Sequence, residues 1–231
     1  MTAPVQLEDL KRQAAETAVA HVRDGMVVGL GTGSTARYVV LALGERVKAG
    51  LTIRGVPTSR DTAELARQSG IPLLETEDSW AIDVDIDGAD QVDPQLNLIK
   101  GGGGALLKEK IVAMAARQVI IVVDHTKLVP ALGNSFPLPV EVVPFGWGST
   151  ARQMEALGMK PVLRERNGRI FRTEAGHYIL DLHVGRIENP AELETRLNLV
   201  PGVVETGLFV GRTDLLIVGS PSGVEVRQAK R

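Results

Sequence analysis

Cysteine is absent from the sequence, aromatic residues are few, and no hydrophobic run reaches the roughly 20 residues that cross a bilayer. Without cysteine, disulfides, thiolate metal sites and thiol catalysis are excluded. Four phenylalanines, two tyrosines and two tryptophans are too few to favour a surface on which nucleic-acid bases stack. The N-terminal segment carries Glu8, Asp9 and Glu16, which is unlike a secretory signal peptide. The simplest location for such a chain is cytoplasmic.

An excess of charge of one sign is also missing, since 26 Lys and Arg nearly balance 28 Asp and Glu for a formal net charge of −2. A general nucleic-acid binder needs a basic face, so this balance argues against that class. It remains compatible with a local pocket for a small anion. Hydrophobic residues make up 44% of the 231 positions, enough for the core of one large domain or of a large and a small one.

The first half of the chain alternates short apolar stretches with helical patterns. The apolar stretches GMVVGLG, LTIRGVPTS, AIDVDIDGAD and QVIIVVD predict strands. Helical spacing predicts helices over 7–23, 34–49, 60–69 and 105–117, the second of them capped by Ser34 and Thr35. This alternation is typical of an α/β fold with a Rossmann-like parallel sheet, covered by helices on both faces.

The pattern changes near residue 133. A proline-bounded strand, GNSFPLPVEVVP, precedes a helix at about 149–157, and PVLRER and HYILDLHV flank an Asn167-Gly168 turn. A helix starting at Asn189 and Pro190 and a strand at VVETGLFV complete the order β-α-β-β-α-β. The sequence therefore predicts a smaller ferredoxin-like α+β domain over 133–205, with 1–132 and 206–231 forming the large domain.

The stretch GLGTGST at 29–35 joins a predicted strand to a predicted helix. It lacks the third glycine of a dinucleotide fingerprint and the lysine of a nucleotide P-loop. What remains is a loop rich in backbone N–H groups and hydroxyls, which suits a phosphate or sugar hydroxyls. A tight strand-to-helix turn without a ligand is the alternative. The candidate binding residues of this loop are Thr32, Gly33, Ser34 and Thr35.

The stretch DVDIDGAD carries four aspartates: Asp83, Asp85, Asp87 and Asp90. The first three alternate along a strand, so they point to one face. The pattern resembles the start of a calcium loop, but its twelfth position is Pro94 rather than glutamate, so no metal site is predicted. A solvated edge strand remains an alternative for Asp83 and Asp85. Asp87, Gly88, Ala89 and Asp90 follow the strand's carboxyl end, where parallel α/β sheets bind ligands.

Four consecutive glycines, 101–104, stand between Lys100 and an apolar helix. Glycine allows the backbone to approach a ligand closely, and the Lys100 ammonium could pair with a phosphate or an oxyanion. A flexible surface loop is the alternative, although such loops usually mix glycine with other polar residues. Gly101, Gly102 and Gly103 are therefore candidate binding residues.

Glu109 is a candidate general base because its helix neighbours at three and four positions are apolar. Helices that are apolar on most faces are usually buried, and burial raises the pKa of a carboxylate, which suits proton abstraction. A salt-bridged surface patch with Lys108 and Lys110 is the alternative.

Lys127, in VDHTK, follows the buried strand at 119–124 and lies at the same predicted sheet edge, although it could be an ordinary surface lysine. The four histidines show no metal-ligand spacing, and Ser34 has no evident partner base.

Acids, lysines and N–H-rich loops at predicted strand ends suit a small, anionic, hydroxylated substrate. With neither thiol nor metal, proton transfer is the natural chemistry.

Six motifs, in chain order, resemble those of type A ribose-5-phosphate isomerases. They are GLGTGST, DIDGADQVD, KGGGGALLKEK, VDHTK, LPVEVVPFGW and ETGLFVGRTDLLIVG, and they extend over nearly the whole chain. One such motif is weak evidence, whereas six in order are specific. The resemblance implies interconversion of ribose 5-phosphate and ribulose 5-phosphate in the pentose phosphate pathway, without a cofactor.

The resemblance also implies roles for the candidate residues. Glu109 would move a proton between C1 and C2, and Lys100 with the glycine-loop N–H groups would stabilise the ene-diolate. Asp87 and Asp90 would hold hydroxyls, and one of them would assist ring opening. Residues 32–35 and Lys127 would complete the substrate cradle. A homo-oligomer, dimer or tetramer, is implied as well, with no nucleic acid or membrane as partner.

Two other functions remain open on the sequence. An amino-sugar phosphate deaminase on a related α/β fold would use the same cradle but release ammonia, so product analysis separates the two. A non-catalytic sensor of a phosphosugar would not need Glu109, which this chain has. A purely structural role explains neither the glycines nor the acids.

Overall fold

The computed structural model describes residues 4–75 and 79–229. In chain order its helices and strands are α1 (Pro4–Val19), β1 (Val27–Leu30), α2 (Ser34–Lys48), β2 (Arg54–Pro57), α3 (Arg60–Gln68), β3 (Val84–Asp87), β4 (Gln91–Val92), β5 (Leu98–Ile99), α4 (Leu106–Ala115), β6 (Val119–Asp124), β7 (Leu138–Val142), α5 (Trp147–Ala156), β8 (Pro161–Leu163), β9 (Glu165–Arg166), β10 (Arg169–Ile170), β11 (Tyr178–Leu182), α6 (Pro190–Asn198), β12 (Val203–Thr206), β13 (Leu208–Phe209), β14 (Leu215–Ser220) and β15 (Gly223–Gln228). A short 3₁₀ helix covers His125–Lys127.

The described chain forms two compact units. The first comprises the chain up to Ala89, Lys108–Lys127 and the chain from Arg212, and the second comprises Asp90–Leu107 and Leu128–Gly211.

A six-stranded sheet forms the first unit, with the strand order β15-β14-β6-β3-β1-β2. All neighbours are parallel except β15, which forms an antiparallel hairpin with β14. The five parallel strands are therefore ordered 2-1-3-4-5 along the chain, and the order reverses between β1 and β3. Ligands of open α/β sheets bind outside the carboxyl ends of strands at such a reversal.

Alternation along the parallel strands divides their side chains between two covered faces. Val28 and Leu30 of β1 pack in the cluster that also holds apolar residues of α1 and α2. Val27, one position earlier, packs with Val112 of α4 in a separate cluster. Helices therefore cover both faces of the sheet, as the short apolar strands predict.

The second unit contains a four-stranded antiparallel sheet with the order β12-β7-β11-β8. Its connections follow the predicted β-α-β-β-α-β order, which confirms the ferredoxin-like arrangement. Met154 of α5 and Leu197 of α6 pack against Val140 and Leu180 of the sheet. The predicted turn at Asn167 and Gly168 joins β9 to β10, and both residues have positive φ.

Several boundaries differ from the predicted ones. Helix α1 ends at Val19 rather than near residue 23, although Val22 is buried as its spacing indicates. The predicted strand VVETGLFV divides into two, because β12 joins the four-stranded sheet whereas β13 pairs with β5, which in turn pairs with β4. Strands β4, β5 and β13 are two residues long, too short to leave an alternating pattern.

The compact units also divide the chain at different positions from the predicted boundaries at 133 and 205. Residues 90–107, 128–132 and 206–211 belong to the second unit. Their pairing explains this assignment, because β4, β5 and β13 form one three-stranded sheet. Leu128 also bridges to Val92 within the same unit.

Candidate active site

Asp87 connects the loops that follow β1 and β3 in the first unit. Its Oδ1 atom accepts hydrogen bonds from the N–H of Thr32 at 3.0 Å and of Gly88 at 2.7 Å. Gly31 makes this approach feasible, because a Cβ built there would lie 2.6 Å from the Asp87 Cα and closer still to the carboxylate. Asp87 is 1% exposed. The structure therefore places the predicted residues Thr32, Asp87 and Gly88 together at the carboxyl ends of adjacent strands.

Helix α2 begins directly after this loop, and its cap differs from the prediction. The N-cap residue is Gly33, with φ 114° and ψ −177°, and among residues 4–75 and 79–229 no side chain caps the helix. The prediction that Ser34 and Thr35 cap it is wrong, because both lie inside the first turn. Ser34 is exposed and Thr35 is buried. The first N–H groups of α2 therefore have no side-chain acceptor, which is the arrangement that favours an anion.

A network of hydroxyl groups holds the Thr32 side chain, and the sequence prediction missed it. Thr32 Oγ1 lies 2.7 Å from Thr58 Oγ1 and 3.4 Å from Thr62 Oγ1. Thr58 and Thr62 donate in turn to the carbonyls of Leu30 and Gly31, at 3.1 and 3.0 Å. The stretch PTSRDT after β2 carries these hydroxyls, but nothing in its spacing indicates that they reach the β1 loop.

The aspartates of β3 share one face, as predicted, and the edge-strand alternative is wrong. Val84 and Ile86 pack in the α1 and α2 cluster, so Asp85 and Asp87 point to the opposite face. Strand β3 lies between β1 and β6, and Asp85 is 1% exposed. Asp83 accepts a hydrogen bond from the Val27 N–H at 2.9 Å and pairs with Arg117.

Lys127 ends the 3₁₀ helix that follows β6, the neighbour of β3. Asp124, buried at the end of β6, accepts hydrogen bonds from the backbone N–H and the hydroxyl of Thr126. This Asx turn fixes the path of the chain that carries Lys127, whose side chain is half-buried. Lys127 therefore lies at the predicted sheet edge.

Within the second unit, Asp90 and the glycine run are joined directly. Asp90 Oδ2 accepts a hydrogen bond from the Gly102 N–H at 2.8 Å, and the Asp90 N–H donates to Ile99 at 2.8 Å. Lys100 is 3% exposed, and its Nζ lies 5.6 Å from the centroid of the Phe209 ring. Its backbone N–H donates to the carbonyl of Gly207 at 2.8 Å. Ala89, which ends the first segment of the first unit, is half-buried.

The glycine run is approached closely by protein groups at three of its four positions. A Cβ would lie 2.8 Å from Leu106 at Gly101, 2.8 Å from Asp90 at Gly102, and 2.5 Å from Cε1 of Phe171 at Gly104. Gly103 alone of the four has open space at that position, and it is exposed. Protein groups therefore approach three of the four glycines closely, Gly103 is the position at which the loop meets solvent, and close approach to a ligand stays a prediction.

Glu109 lies in the first turn of α4, directly after the glycine run, and is 5% exposed. Lys110 is also buried, at 7%, whereas Lys108 is half-buried. The alternative of an exposed charged patch is therefore wrong for Glu109. Ile111 and Met114, on the same helix, are about half exposed, so α4 is not apolar and buried on every face.

Among residues 4–75 and 79–229, no group of three or more His, Asp or Glu side chains is arranged to hold a metal ion. The part of the chain that the structure describes also has no helix long and apolar enough to span a membrane.

Known proteins resemble this chain over nearly its whole length. The model of the ribose 5-phosphate isomerase A (phosphoriboisomerase A) family matches residues 54–223. The ribose-5-phosphate isomerase A of Gloeobacter violaceus is 54% identical over 223 residues, covering 96% of this chain and 97% of that protein. The protein of the same name from Chloroflexus aurantiacus is 53% identical over 221 residues, covering 94% and 92%.

Solved structures give the same result. A D-ribose-5-phosphate isomerase in complex with phospho-erythronic acid superposes with a TM-score of 0.93 at 42% identity, covering 96% of this chain and 99% of that one. Ribose 5-phosphate isomerase from Plasmodium falciparum has a TM-score of 0.93 at 38% identity, covering 97% and 100%. Both the family match and the identity to its members extend across the two units, and this chain belongs to the ribose-5-phosphate isomerase A family.

Proposed function

We propose that this chain interconverts ribose 5-phosphate and ribulose 5-phosphate through an ene-diolate, with Glu109 as the proton carrier. The observation that carries this proposal is a carboxylate buried in the first turn of α4, directly after the glycine run. Glu109 would take the proton from C2 of the open-chain aldose and return it to C1, and the hydroxyl proton would move from O2 to O1. One proton leaves C2 and one proton is added at C1, so the reaction balances without a cofactor.

Lys100 and the N–H of Gly103 would stabilise the anionic oxygen of the ene-diolate. The Gly102 N–H already donates to Asp90, and the Gly104 N–H donates to the Gly101 carbonyl. The N–H of Gly103 makes no hydrogen bond to any residue that the structure describes, and it belongs to an exposed residue. A fixed backbone donor and a buried ammonium are the groups that stabilise developing negative charge.

The phosphate would bind at the N-terminus of α2. Gly33 has a backbone conformation that leaves the first N–H groups of the helix without a side-chain acceptor. Gly33, Ser34 and Thr35 would donate to the phosphate oxygens, and Thr32 would order the loop through its hydroxyl network. Lys127, held at the end of β6, would supply a positive charge for the same substrate.

Asp87, Gly88, Ala89 and Asp90 would hold the sugar hydroxyls, and one of the two aspartates would assist ring opening. In each aspartate one carboxylate oxygen accepts a backbone N–H, which fixes its orientation. The similar structure solved with phospho-erythronic acid supports a ligand of this class, since that compound is a phosphorylated sugar acid.

We also propose a cytoplasmic homo-oligomer, dimer or tetramer, built from a large Rossmann-like and a small ferredoxin-like domain. Phe145 and Leu199 of the second unit are 93% and 77% exposed, and an assembly would cover apolar surface of this kind. Sedimentation equilibrium gives the number of subunits, and a monomer would contradict the proposal.

Proton NMR in D2O tests the reaction. Purified protein incubated with ribose 5-phosphate, without added metal or cofactor, should produce ribulose 5-phosphate and exchange the transferred hydrogen for deuterium. No conversion by folded protein would refute the isomerase and favour a phosphosugar sensor. Conversion with complete retention of the substrate hydrogen would refute Glu109 as a proton carrier that exchanges with solvent. The isomerase activity itself would still stand.

A further inference from the structure

Arg164, in the second unit, holds the glycine run through hydrogen bonds. It lies between β8 and β9, and its Nη1 atom donates to the carbonyl of Gly101 at 2.7 Å and to that of Gly102 at 3.2 Å. Its Nε and Nη2 atoms donate to Asp181 on β11, the former at 2.8 Å. One guanidinium therefore holds two consecutive glycine carbonyls while a carboxylate fixes its own plane.

The position of Arg164 is itself well determined. Its backbone N–H donates to Ile179 of β11 at 2.9 Å, and its carbonyl accepts the Phe171 N–H at 2.9 Å. Its side chain is 11% exposed and that of Asp181 17%. The Phe171 ring, which packs against Gly104, lies 5.9 Å from the guanidinium carbon. The guanidinium is thus a rigid support for the loop.

The glycine run needs such a support because its peptide groups could otherwise rotate. Glycine adopts positive and negative φ with similar ease, so the peptide between Gly102 and Gly103 has a glycine on each side and little to resist a flip. All described peptides are trans, and the C=O and N–H of a trans peptide point in opposite directions. Holding the Gly102 carbonyl therefore fixes the direction of the Gly103 N–H.

The preceding peptide is held at both ends. The Gly101 carbonyl accepts from Arg164, and the Gly102 N–H of the same peptide donates to Asp90. In the next peptide the carbonyl is held by Arg164, whereas the Gly103 N–H donates to no residue that the structure describes. We infer that Arg164, oriented by Asp181, is a positioning residue that aims the Gly103 N–H at the ene-diolate oxygen. This inference rests on the proposed isomerase function and adds Arg164 and Asp181 to the residues that serve it.

A structural salt bridge alone would not need this geometry. The Nε and Nη2 donors already bind both oxygens of Asp181, and a buried ion pair adds little net stability by itself. The two bonds from Nη1 go to the loop instead. Their loss would affect the transition state more than the bound substrate, because the oxyanion forms only during the reaction.

Steady-state kinetics of Arg164→Met, with ribose 5-phosphate as substrate, tests the inference. We expect kcat to fall about 100-fold and KM to change less than about threefold, since a misdirected oxyanion donor costs mainly transition-state stabilisation. Arg164→Lys should recover part of the activity, because an ammonium can hold one carbonyl but cannot fork onto Asp181.

Arg172→Met is the matched control. Arg172 belongs to the same unit, donates to the Gly176 carbonyl and the Tyr178 hydroxyl, and stacks on the Tyr178 ring at 4.7 Å. Among the residues that the structure describes, Arg172 forms no hydrogen bond or ring contact with the glycine run, so kcat should stay within about twofold of wild type. A folded Arg164→Met protein with wild-type kcat, or with a raised KM alone, would overturn the inference.

If Arg164→Met does not fold, Arg164→Lys and Asp181→Asn decide the question. Each should fold and lower kcat by about tenfold, because each keeps the size of the side chain but loosens the fork. Unchanged kcat in both would overturn the inference. A wild type that does not isomerise ribose 5-phosphate would instead refute the proposed function and, with it, the oxyanion role of the loop.

Discussion

Glu109→Gln is expected to keep the fold and substrate binding but to lower kcat about 1,000-fold or more, which is within the range that general acid–base groups contribute. Glutamine has the shape of glutamate, yet its amide neither accepts nor returns a proton at neutral pH. The substitution lies in the first turn of α4, whose Val112 packs in a cluster with Val27, Val56 and Ile82. That packing does not involve the carboxylate, so the helix should stay in place.

The measurement is kcat and KM with ribose 5-phosphate, with thermal unfolding followed by circular dichroism. Glu45→Gln is the matched control, because the Glu45 side chain is 73% exposed on α2 and, within the described part of the chain, forms an ion pair only with Lys48. It should have wild-type kcat and melting temperature. KM for ribose 5-phosphate should change little in Glu109→Gln. Wild-type turnover by folded Glu109→Gln would refute Glu109 as the base and leave the isomerase assignment intact.

The parallel sheet and the ferredoxin-like sheet could be predicted because their strands are long enough to show a pattern. Strand β6 is six consecutive buried residues, and the Asn189-Pro190 start of α6 appears as the predicted N-cap and first helical position. Strands β4, β5 and β13 could not be predicted, since a two-residue strand has no period. Their pairing depends on the tertiary fold.

The candidate residues of the site could be predicted from residue type and from their place at strand ends. The residues that hold these candidates in position could not be predicted. Arg164 reaches Gly101 across 63 positions of sequence, and Asp181 reaches Arg164 across 17. Thr58 and Thr62 likewise hold the β1 loop from the next strand and helix. Such partners look like ordinary polar residues in the sequence, and only the strand order brings them to the loops.

The N-cap of α2 shows a different limit of prediction from the sequence. Ser and Thr are favoured N-cap residues, and both stand at the expected place. Gly33 takes the cap instead because its φ of 114° lies in a region that side chains rarely adopt. The hydroxyl rule predicts a closed helix end, whereas the structure leaves that end open for an acceptor from outside the helix.

Gly31→Ala is expected to destabilise the protein by about 3 kcal/mol or more, through overpacking and the loss of hydrogen bonds to a buried carboxylate. The new Cβ would overlap the Asp87 carboxylate and lie 2.6 Å from the Asp87 Cα. A new Asp87 rotamer would relieve only the overlap with the carboxylate. Relief of the short contact with the Asp87 Cα requires β1 and β3 to separate. That separation is opposed because the Gly31 N–H donates to the Ile86 carbonyl at 3.1 Å and both strands are central in the sheet.

Urea unfolding of Gly31→Ala beside Gly88→Ala measures this effect. Gly88 lies on the same Asp87 loop, but a Cβ there would meet only the Val122 carbonyl at 3.7 Å, an ordinary contact. Gly88→Ala should therefore change the free energy of unfolding by less than about 1 kcal/mol. Any folded Gly31→Ala should also have a lower kcat, because an Asp87 that turns away releases the N–H of Thr32 and Gly88. Equal stability of the two variants would show that β1 and β3 can separate at this point, and that Gly31 is not what holds Asp87 in place.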